Sequence, residues 1–377
     1  MLGVNEELRN AALQAMADIL LAETGRILEE NARDAAAARQ DVDAGRLSGS
    51  LYKRLLLDRE KIRGMAEGLR SIAALPDPVN QVQKKTLLDE GLVLTRLSTP
   101  LGLLGIIFES RPDVVPQVMG LAVKSANAVI FKGGSEAAAS NRVLFELLCQ
   151  AGLKAGLPEH FAGMVSTRED VANMLRLDGY FDLLIPRGSN SLVRSIMENT
   201  RIPVLGHADG ICTLYVDGAA DPEMAVRIAV DAKTQYPAVC NAIENLLVDE
   251  TLAPAFLPLA AAALMERGVE LRGDAAARAL VPSMKPATEE DWETEYNDLI
   301  LAVKLVSGVE EAVAFINTCG SGHTDAIVTA SPEKARFFRM MVDSSSVMVN
   351  ASTRFADGYR YGLGAELGIS TNKTHAR

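Results

Sequence analysis

Cys240 is the residue of this sequence whose surroundings best suit covalent chemistry. It lies in the segment Gln235–Asn241, a loop that contains a proline and directly follows a predicted helix. The thiolate is the reactive form of cysteine, and backbone donors in such a loop can stabilise it. Cys240 is therefore a candidate nucleophile, and the alternative is a buried loop residue without a chemical role.

The other cysteines and the histidines do not indicate a second reactive centre. Cys149 lies in an apolar helix, Cys212 in an apolar strand, and Cys319 at the end of a helix. These are typical places for a small core or cap residue. His323 is interpreted as a hydrogen-bonded turn residue rather than a base. The four cysteines form no C-x-x-C pair and the four histidines lack ligand spacing, which predicts neither a disulfide framework nor a metal site.

Two glycine-containing turns that follow predicted strands could hold phosphate groups. The segment Pro186–Asn190 opens a helix, and the free N–H groups of a first helical turn attract anions. An ordinary turn with Ser189 as helix cap is the alternative. In the segment Phe131–Ser135, Lys132 ends a strand and could hold a ribose or a phosphate, although a solvent-exposed lysine explains the pattern equally well.

Charge is also concentrated directly after the predicted strand that ends at Phe108. Arg111 could stabilise an oxyanion or grip a phosphate there, because a guanidinium matches such groups with two hydrogen bonds. An ion pair with Glu109 or Asp113 is the alternative. Further along, the polar and glycine-rich stretch 349–366 is predicted to be an ordered binding loop.

Hydrophobic periodicity predicts the elements that position these residues. The first 70 residues read as two or three amphipathic helices, stopped by prolines at 76 and 78, and a hairpin with Gly91 at its turn follows over Val82–Arg96. The predicted strands are Leu103–Phe108, Ala128–Lys132, Phe181–Ile185, Val204–Leu205, Ile211–Val216, Glu244–Val248, Leu301–Val306, Asp325–Thr329 and Ser346–Val349. The predicted helices are Val114–Ser125, Glu136–Ala151 with its end at Gly152, one that opens near Ser189, Pro222–Lys233, Glu310–Thr318 and Pro332–Val342.

This alternation of strands and helices predicts an α/β fold with two doubly wound parallel sheets and a ligand cleft between them. The length of 377 residues fits about two or three domains. A formal net charge of −11 argues against nucleic acid as the main partner. No apolar run is long enough for a membrane span and the N-terminus does not resemble a secretory signal, so we expect a cytoplasmic protein.

Several stretches, in order along nearly the whole chain, resemble the aldehyde dehydrogenase superfamily, and within it the branch that reduces γ-glutamyl phosphate. They are Pro100–Pro112, Ile185–Gly188, Ala232–Gln235 with Cys240–Asn241, Asp343–Ser345, Val349–Phe355, Gly362–Glu366 and His375–Arg377. The resemblance implies a cofactor-binding domain over 1–207, with an oligomerisation hairpin at about 81–98, and a catalytic domain over 208–370. Relatives continue beyond the end of this chain, so we expect 371–377 to be the start of a truncated C-terminal tail.

The resemblance also assigns roles to residues at matching positions. The catalytic residues it implies are Cys240, Arg111 and Asn241. The cofactor-binding residues it implies are Lys132, Ser135, Pro186, Gly188, Ser189 and Glu295. The substrate-binding residues it implies are Glu109, His207, Ser352, Arg354 and Glu366. It implies no metal.

NADP(H) is the cofactor that this comparison favours. Lys132 matches the lysine that holds the adenosine ribose, and Gly188 and Ser189 match the turn that meets the pyrophosphate. Many NAD-preferring relatives have a glutamate three positions after the lysine, whereas this chain has Ser135, which leaves room for a 2′-phosphate. Glu295 matches the glutamate that holds the nicotinamide ribose.

The implied reaction is the NADPH-dependent reduction of L-glutamyl 5-phosphate to L-glutamate 5-semialdehyde through a thioester, the second step of proline biosynthesis from glutamate. Oxidising relatives activate water with a glutamate whose place here falls on Gly206 or His207, and 204–210 contains no Glu. Without that base, phosphate rather than water exchanges with the thioester. The resemblance also implies a homo-oligomer, dimer or tetramer, and suggests contact with glutamate 5-kinase.

Two other functions stay open at this point. The chain could be a CoA-acylating or another phosphorylating aldehyde dehydrogenase, because the thioester chemistry is shared. It could also be a catalytically silent, metabolite-binding subunit that has kept the fold. The presence of Cys240 and Lys132 argues against the silent subunit.

Overall fold

A computed structural model describes residues 1–46, 49–206, 209–368 and 370–371. The chain consists of two units, unit 1 over Met1–Gly206 and unit 2 over His207–Arg377. The predicted substrate residue His207 and the predicted tail from 372 onward lie outside the described residues. Among the described helices, none combines the length and the apolar character that crossing a membrane requires.

Amphipathic helices make up much of unit 1, and polar side chains begin several of them. Asn5 accepts a hydrogen bond from the Leu8 N–H in the first helix, and Asp58 accepts one from the Lys61 N–H in the fourth. The helices are α1 (Glu6–Ala22), α2 (Thr24–Asp43), α3 (Gly49–Leu55), α4 (Arg59–Ala74), α5 (Val114–Lys124), α6 (Ala138–Ala155), α7 (Arg168–Met174) and α8 (Asn190–Glu198). The described chain therefore has four helices before residue 75 instead of two or three, because Gly45, with a φ of 69°, ends the second helical segment.

A parallel sheet forms the centre of unit 1. The strands of the unit are β1 (Val82–Asp89), β2 (Leu92–Leu97), β3 (Leu103–Phe108), β4 (Ala128–Lys132), β5 (Ala162–Val165) and β6 (Leu183–Arg187). The sheet has the order β5-β4-β3-β6. On one face Ile107 and Leu184 pack with Ile196 of α8, and on the other Phe131 packs against Phe145 of α6, so that the sheet is doubly wound as predicted.

The predicted hairpin is also present. Strands β1 and β2 pair antiparallel, and Gly91 lies at the turn with a φ of 76°. Its side chains are exposed along almost the whole of both strands. The role of this hairpin in oligomerisation stays a prediction.

Several bounds differ from those expected by one or two residues, such as β6, predicted at Phe181–Ile185, and two larger differences have a structural reason. Helix α6 runs through Gly152 and ends before Gly156, whose φ of 102° suits the left-handed cap. Gly152 instead lies against Phe161 and Met16, where a Cβ atom would approach within 3 Å. The predicted strand Val204–Leu205 is only an isolated bridge between Leu184 and Val204, because the chain pairs with β6 at a single point.

Unit 2 contains a second, wider parallel sheet. Its strands are β7 (Cys212–Val216), β8 (Ile243–Asp249), β9 (Glu270–Gly273), β10 (Lys285–Pro286), β11 (Ile300–Val306), β12 (Thr324–Val328) and β13 (Ser346–Val349). Its helices are α9 (Pro222–Thr234), α10 (Ala253–Glu266), α11 (Ala275–Leu280), α12 (Val309–Cys319) and α13 (Pro332–Met341). The strand order is β10-β9-β11-β8-β7-β12-β13, which confirms the predicted second doubly wound sheet.

Alternate residues of the central strands fill the two faces of this sheet. Leu214 of β7 belongs to the apolar cluster that includes Phe256 of α10, whereas its neighbour Tyr215 stacks on Phe338 of α13. The strands that the sequence did not predict, β9 and β10, are short and lie on one side of the sheet.

Because β7, β8, β11, β12 and β13 are parallel, they all begin at the same end of the sheet, and the chain segments that lead into them lie together there. We call this side the amino edge of unit 2; it comprises residues 209–211, 235–242, 294–299, 320–323 and 343–345. The corresponding carboxyl edge of unit 1, where β3, β4 and β6 end, comprises residues 108–113, 132–136 and 187–190.

Candidate active site

The predicted cofactor residues of unit 1 lie together at its carboxyl edge. Lys132, the last residue of β4, is in register with Ile107 of β3, and Phe108 is in register with Arg187 of β6. The three strands therefore end side by side, and the loops that follow them meet. Lys132 is half-buried at this edge.

The turn at Gly188 and Ser189 holds a carboxylate oxygen of the chain itself. The Ser189 N–H donates to Glu109 Oε2 at 2.8 Å. A Cβ atom on Gly188 would lie 2.6 Å from the same oxygen, so a larger residue at this position would displace the Glu109 side chain. Ser189 occupies the cap position of α8, but in the described residues its hydroxyl lies beside the Ser191 hydroxyl instead of capping the helix. The backbone of this turn thus holds a carboxylate of the chain, and its contact with a cofactor phosphate stays a prediction.

Glu136 is a residue of this edge that the sequence analysis missed. Its Oε1 accepts hydrogen bonds from the backbone N–H and the hydroxyl of Ser110, at 2.6 and 2.7 Å. Ser110 is buried and has a φ of 45°, a conformation that this double contact stabilises. The signal in the sequence was a lone charged residue at the start of a helix, which by itself indicates only a helix terminus.

Arg111 takes the ion pair that the sequence left open as an alternative. Its Nη2 lies 3.3 Å from Asp113 Oδ2, and both side chains are more than one-third exposed. Such a pair contributes little to stability, so Arg111 can exchange partners at little cost. Its role at an oxyanion stays a prediction.

The residues present at this edge are compatible with an anionic ligand. Ser135 is exposed, and the nearest carboxylate in the chain, Glu136, is already hydrogen-bonded to Ser110. Asn141 is only 2% exposed, and within the described residues neither of its side-chain polar atoms has a partner. A Cβ atom on Gly133 would overlap the Asn141 amide, so the loop lies close to a polar group that a ligand could satisfy.

In unit 2, Cys240 lies in a turn at the amino edge. The Ala242 N–H donates to the Val239 carbonyl at 3.0 Å and closes the turn. Cys240 is half-buried. A Cβ atom on Gly210 would lie 2.5 Å from Cys240 Cα and 2.6 Å from its Cβ, so the segment before β7 passes directly against the nucleophile loop.

Burial makes the other thiols poor nucleophiles. It raises the pKa of Cys149 to about 12 and raises the pKa values of Cys319 and Cys212 as well. Cys212 is fully buried and donates to the Cys240 carbonyl at 3.1 Å, so it supports the loop from below. His323, also fully buried, lies beside Cys212 and Thr324, in agreement with a turn residue.

Asn241, next to Cys240, joins the nucleophile loop to the 352–356 segment. Its Nδ2 donates to the Ala356 carbonyl at 2.9 Å, and its carbonyl accepts from the Thr353 hydroxyl at 2.6 Å. Arg354 Nη1 donates to Asn241 Oδ1. Three contacts therefore fix the backbone on one side of the thiol.

Arg354 brings a positive charge close to the Cys240 loop, because it is hydrogen-bonded to Asn241. Burial and the charge of Arg360 lower the pKa of Arg354, whereas the Cys240 sulfur raises it, so the guanidinium and the sulfur interact electrostatically. Among the described residues Arg354 Nε has no hydrogen-bond partner although it is buried. This N–H is therefore available to an anionic ligand.

Two predicted substrate residues have contacts within the protein. Ser352 is 3% exposed, and its hydroxyl accepts from the Arg354 N–H at 3.2 Å, so that it shapes the turn that carries Arg354. Glu366 Oε2 accepts from the Gly358 N–H at 2.6 Å. Glu366 also lines a cavity of about 370 Å³ together with Asp357 and Tyr361. Their contact with substrate stays a prediction.

Glu295 lies at the same edge, in the segment before β11. Burial is the main cause that raises the pKa of Glu244, in the neighbouring strand β8, to about 8; the charge of Lys233 opposes this rise, and the Glu295 carboxylate adds to it, which indicates that Glu295 lies near Glu244. Glu244 forms a buried ion pair with Lys233 that the sequence analysis did not recognise as functional. The only hint was a lysine directly beside the apolar stripe of α9 formed by Ala225, Ala229 and Ala232.

Searching the described residues yields no group of three or more His, Cys, Asp or Glu side chains arranged to hold a metal ion. The residues brought together in unit 2 are a half-buried thiol, a guanidinium and backbone N–H groups. This set suits nucleophilic chemistry on a carbonyl compound.

Comparison with known proteins identifies the family. A model described as the aldehyde dehydrogenase family matches residues 6–287. The chain belongs to the aldehyde dehydrogenase family. Members of this family use a nicotinamide cofactor, which agrees with the anion-binding turn and the lysine at the carboxyl edge of unit 1.

Within the aldehyde dehydrogenase family, the most similar relatives share one name. The chain is 54% identical to a γ-glutamyl phosphate reductase of Methanosarcina acetivorans, over 99% of this chain and 85% of the relative. It is 56% identical to one of Synechococcus sp. (strain JA-3-3Ab), over 98% and 82%. Among solved structures, a γ-glutamyl phosphate reductase from Thermotoga maritima matches all of this chain and 90% of its own, with a TM-score of 0.96 and 39% identity.

Proposed function

We propose that this chain reduces L-glutamyl 5-phosphate to L-glutamate 5-semialdehyde with NADPH, through a thioester on Cys240, as the second step of proline biosynthesis from glutamate. The observation that carries the proposal is the half-buried Cys240 thiol, next to Asn241, which is hydrogen-bonded to Arg354 and to the 352–356 segment. High similarity to γ-glutamyl phosphate reductases over nearly the whole chain supports this substrate.

The first step forms the thioester. The Cys240 thiolate attacks the γ-carbonyl carbon and forms a C–S bond. The bond between this carbon and the bridging oxygen of the phosphate then breaks, and phosphate leaves with the electron pair. The positive charge of Arg354 favours the thiolate that attacks. Backbone N–H groups of the Cys240 turn, and Arg111, are the proposed donors to the oxyanion.

The second step releases the aldehyde. When bound, NADPH supplies the hydride that reduces the thioester carbon. The C–S bond then breaks, the Cys240 thiolate returns, and glutamate 5-semialdehyde leaves and cyclises. Because 204–210 has no glutamate to activate water, the thioester persists long enough to be reduced.

The choice of NADPH over NADH is part of the proposal and is supported by unit 1. A glutamate at position 135 would repel a 2′-phosphate, whereas the serine is neutral and exposed. Lys132 and the Gly188–Ser189 turn are the groups proposed to hold the ribose and the pyrophosphate. The nicotinamide ribose is proposed to meet Glu295.

The setting of the enzyme belongs to the same proposal. A cytoplasmic location suits a biosynthetic enzyme that depends on a reduced thiol. A homo-oligomer is supported by the exposed hairpin β1–β2, with Leu87, Leu88 and Leu92 each more than half exposed. Contact with glutamate 5-kinase would protect the labile acyl phosphate between the two enzymes.

Running the reaction in reverse tests the function. The purified chain is given glutamate 5-semialdehyde and NADP⁺ with and without phosphate, and NADPH formation is followed by absorbance. We expect formation to require phosphate and to fall by more than about a thousandfold in Cys240→Ala. Cys149→Ala, which removes a thiol of unit 1, is the control and should stay active.

Three results would overturn the proposal. NADPH formation that requires CoA instead of phosphate would assign the chain to acylating chemistry. Full turnover in Cys240→Ala would remove the thioester. A wild-type chain that neither turns over nor reacts with iodoacetamide at Cys240 would be a silent subunit.

A further inference from the structure

A buried ion pair brackets the loop that carries Cys240. Lys233 lies in the last turn of α9 and Glu244 in β8, on either side of residues 234–243. Lys233 Nζ and Glu244 Oε2 are 2.5 Å apart, and the two side chains are 0% and 1% exposed. Burying two charges costs more than packing two apolar side chains in the same volume, so the pair is not the most stable choice for this position.

The same pair contacts a second segment of the amino edge. The Asn297 N–H donates to Glu244 Oε1 at 3.4 Å, and Lys233 Nζ lies 5.9 Å from the centre of the Tyr296 ring. These residues directly follow Glu295. Because β8 and β11 are adjacent parallel strands, the segments that lead into them start side by side.

The segment 295–297 also has contacts with residues outside the ion pair. Tyr296 donates its hydroxyl to Asp291 Oδ1 at 2.6 Å, and Arg272 donates to the same oxygen at 2.7 Å. The Arg272 guanidinium lies 5.2 Å from the centre of the Tyr296 ring. Tyr296 is therefore a fixed point, and the ion pair joins the Cys240 loop to it.

We propose that Lys233 and Glu244 are positioning residues whose ion pair holds the Cys240 loop to the 295–297 segment, so that the nucleophile and Glu295 keep one relative position. Neither side chain reaches the reacting atoms, since both are buried. The inference rests on the proposed role of Cys240 but not on the identity of the acyl substrate.

Removing one partner changes the charge of the other. Burial raises the pKa of the Glu244 carboxyl and lowers that of the Lys233 ammonium, and each charge opposes the shift of its partner. Without Lys233, nothing opposes the effect of burial, so we expect the Glu244 carboxyl to become protonated. A neutral carboxyl has lost its ion pair and accepts the hydrogen bond from the Asn297 N–H more weakly. The loop then samples more than one position, even in a folded chain.

The test measures the thiol directly. Cys240 is alkylated with iodoacetamide in the intact chain, and the rate is followed by mass spectrometry of the peptide that contains it. In Glu244→Gln and in Lys233→Met we expect this rate to change by about tenfold or more and kcat to fall by a similar factor, with little change in KM. In the double variant the effect should not exceed that of the larger single change, because the two residues act as one unit.

Lys334→Met is the matched control. Lys334 forms an ion pair with Asp217, whose side chain is fully buried. This pair lies at the carboxyl end of β7, whereas Cys240 lies at the amino edge, at the other end of the strands. The control should lose stability without changing the alkylation rate. If Lys233→Met does not fold, Glu244→Gln decides the question, because the amide has the same shape and keeps an acceptor for the Asn297 N–H.

Two outcomes separate this inference from the proposed function. Variants that are folded by circular dichroism and alkylate at the wild-type rate with wild-type kcat would reduce the pair to a stabilising contact. If instead the wild-type chain reduces no acyl phosphate but the alkylation rates differ as expected, the proposed function fails and the positioning role stands.

Discussion

The two parallel sheets of this protein carry their candidate functional residues at opposite ends. Unit 1 has them at its carboxyl edge, where Lys132 ends a strand and Glu109 and Ser189 follow strands. Unit 2 has them at its amino edge, where Cys240 and Glu295 precede strands. Ligands of doubly wound sheets ordinarily bind at the carboxyl edge, so unit 2 departs from the common pattern.

Helix polarity explains what each edge can do. At the carboxyl edge of unit 1, α8 begins, and the first N–H groups of a helix attract anions. Glu109 and Glu136 already present carboxylate oxygens to backbone N–H groups there, at 2.8 and 2.6 Å. Backbone N–H groups of unit 1 therefore already hold anionic groups, which supports the proposed binding of phosphate at this edge.

The amino edge of unit 2 has the reverse polarity. Helices α9, α12 and α13 end there, at Thr234, Cys319 and Met341, and their carbonyl ends disfavour anions. Helix polarity therefore does not favour a thiolate at this edge, whereas Arg354, hydrogen-bonded to the neighbouring Asn241, brings a positive charge there. Unit 1 thus presents backbone N–H groups and a helix start to anionic groups, whereas unit 2 has charged side chains at helix ends, and the proposed roles of the two units rest on this difference.

Gly210→Ala should have the largest effect and would act on unit 2 alone. The added Cβ atom would meet Cys240 Cα at 2.5 Å and must displace the nucleophile loop. We expect kcat to fall by about a hundredfold, because a shift of this size misaligns the reacting atoms. NADPH affinity, measured by fluorescence titration, should not change.

A matched alanine in unit 1 controls for the added methyl group. Gly163→Ala places its Cβ 3.5 Å from Ile130, an ordinary contact, and should keep wild-type kcat. Wild-type turnover in Gly210→Ala would mean that the position of Cys240 does not limit the reaction, and the assignment of chemistry to the amino edge would be lost.

Asp291→Asn should weaken the support of the amino edge. Although burial opposes it, hydrogen bonds from Tyr296, Thr288 and Arg272 lower the pKa of Asp291 to about 2. A depressed carboxyl pKa adds stability above the unfolded value, and this is lost as the pH falls through the folded value. We expect a loss of about 2 kcal/mol in unfolding free energy at neutral pH, measured by urea denaturation.

Asp291→Asn should also change how the unfolding free energy depends on pH. Between about pH 4 and pH 2 the wild-type chain should lose the contribution of Asp291, and the variant should show a flatter curve. Glu289→Gln, an exposed carboxylate in the same short helical turn, is the control and should resemble wild type. If the unfolding free energy falls equally steeply with decreasing pH in Asp291→Asn and in wild type, Asp291 is not ionised and hydrogen-bonded in the folded chain as described.

Ser135→Glu should have the smallest effect and would act on unit 1 alone. A carboxylate at this exposed position would repel a 2′-phosphate, so the preference for NADPH over NADH in kcat/KM should drop by about tenfold. The rate of Cys240 alkylation should stay the same. Ser135→Gln has the same length without the charge, and an equal drop in that variant would make the effect steric.

Much of the fold could be predicted because it depends on local pattern. The strands Leu103–Phe108 and Ala128–Lys132 were predicted with the bounds that the structure has, since apolar runs bounded by turn residues are a local signal. The end of α6 was predicted wrongly. Gly152 reads as a helix stop, but close packing against Phe161 requires the glycine, and the helix ends before Gly156.

The candidate site divides in the same way. The loop context of Cys240 singled it out, and the surroundings of Cys149, Cys212 and Cys319 indicated the buried or cap positions that raise their pKa values. The contact between Glu136 and Ser110 could not be predicted, because the two residues lie in different loops that only strand pairing brings together.

By itself the sequence determined the two doubly wound sheets and the loop position of the nucleophile, because hydrophobic periodicity, prolines and loop composition act over a few neighbouring residues. The tertiary structure alone decided that Lys233 and Glu244 meet beneath the Cys240 loop and that Asn297 joins them. The reason is the strand order, since β11 inserts beside β8 although two strands and two helices separate them in the chain. No local pattern encodes that neighbourhood.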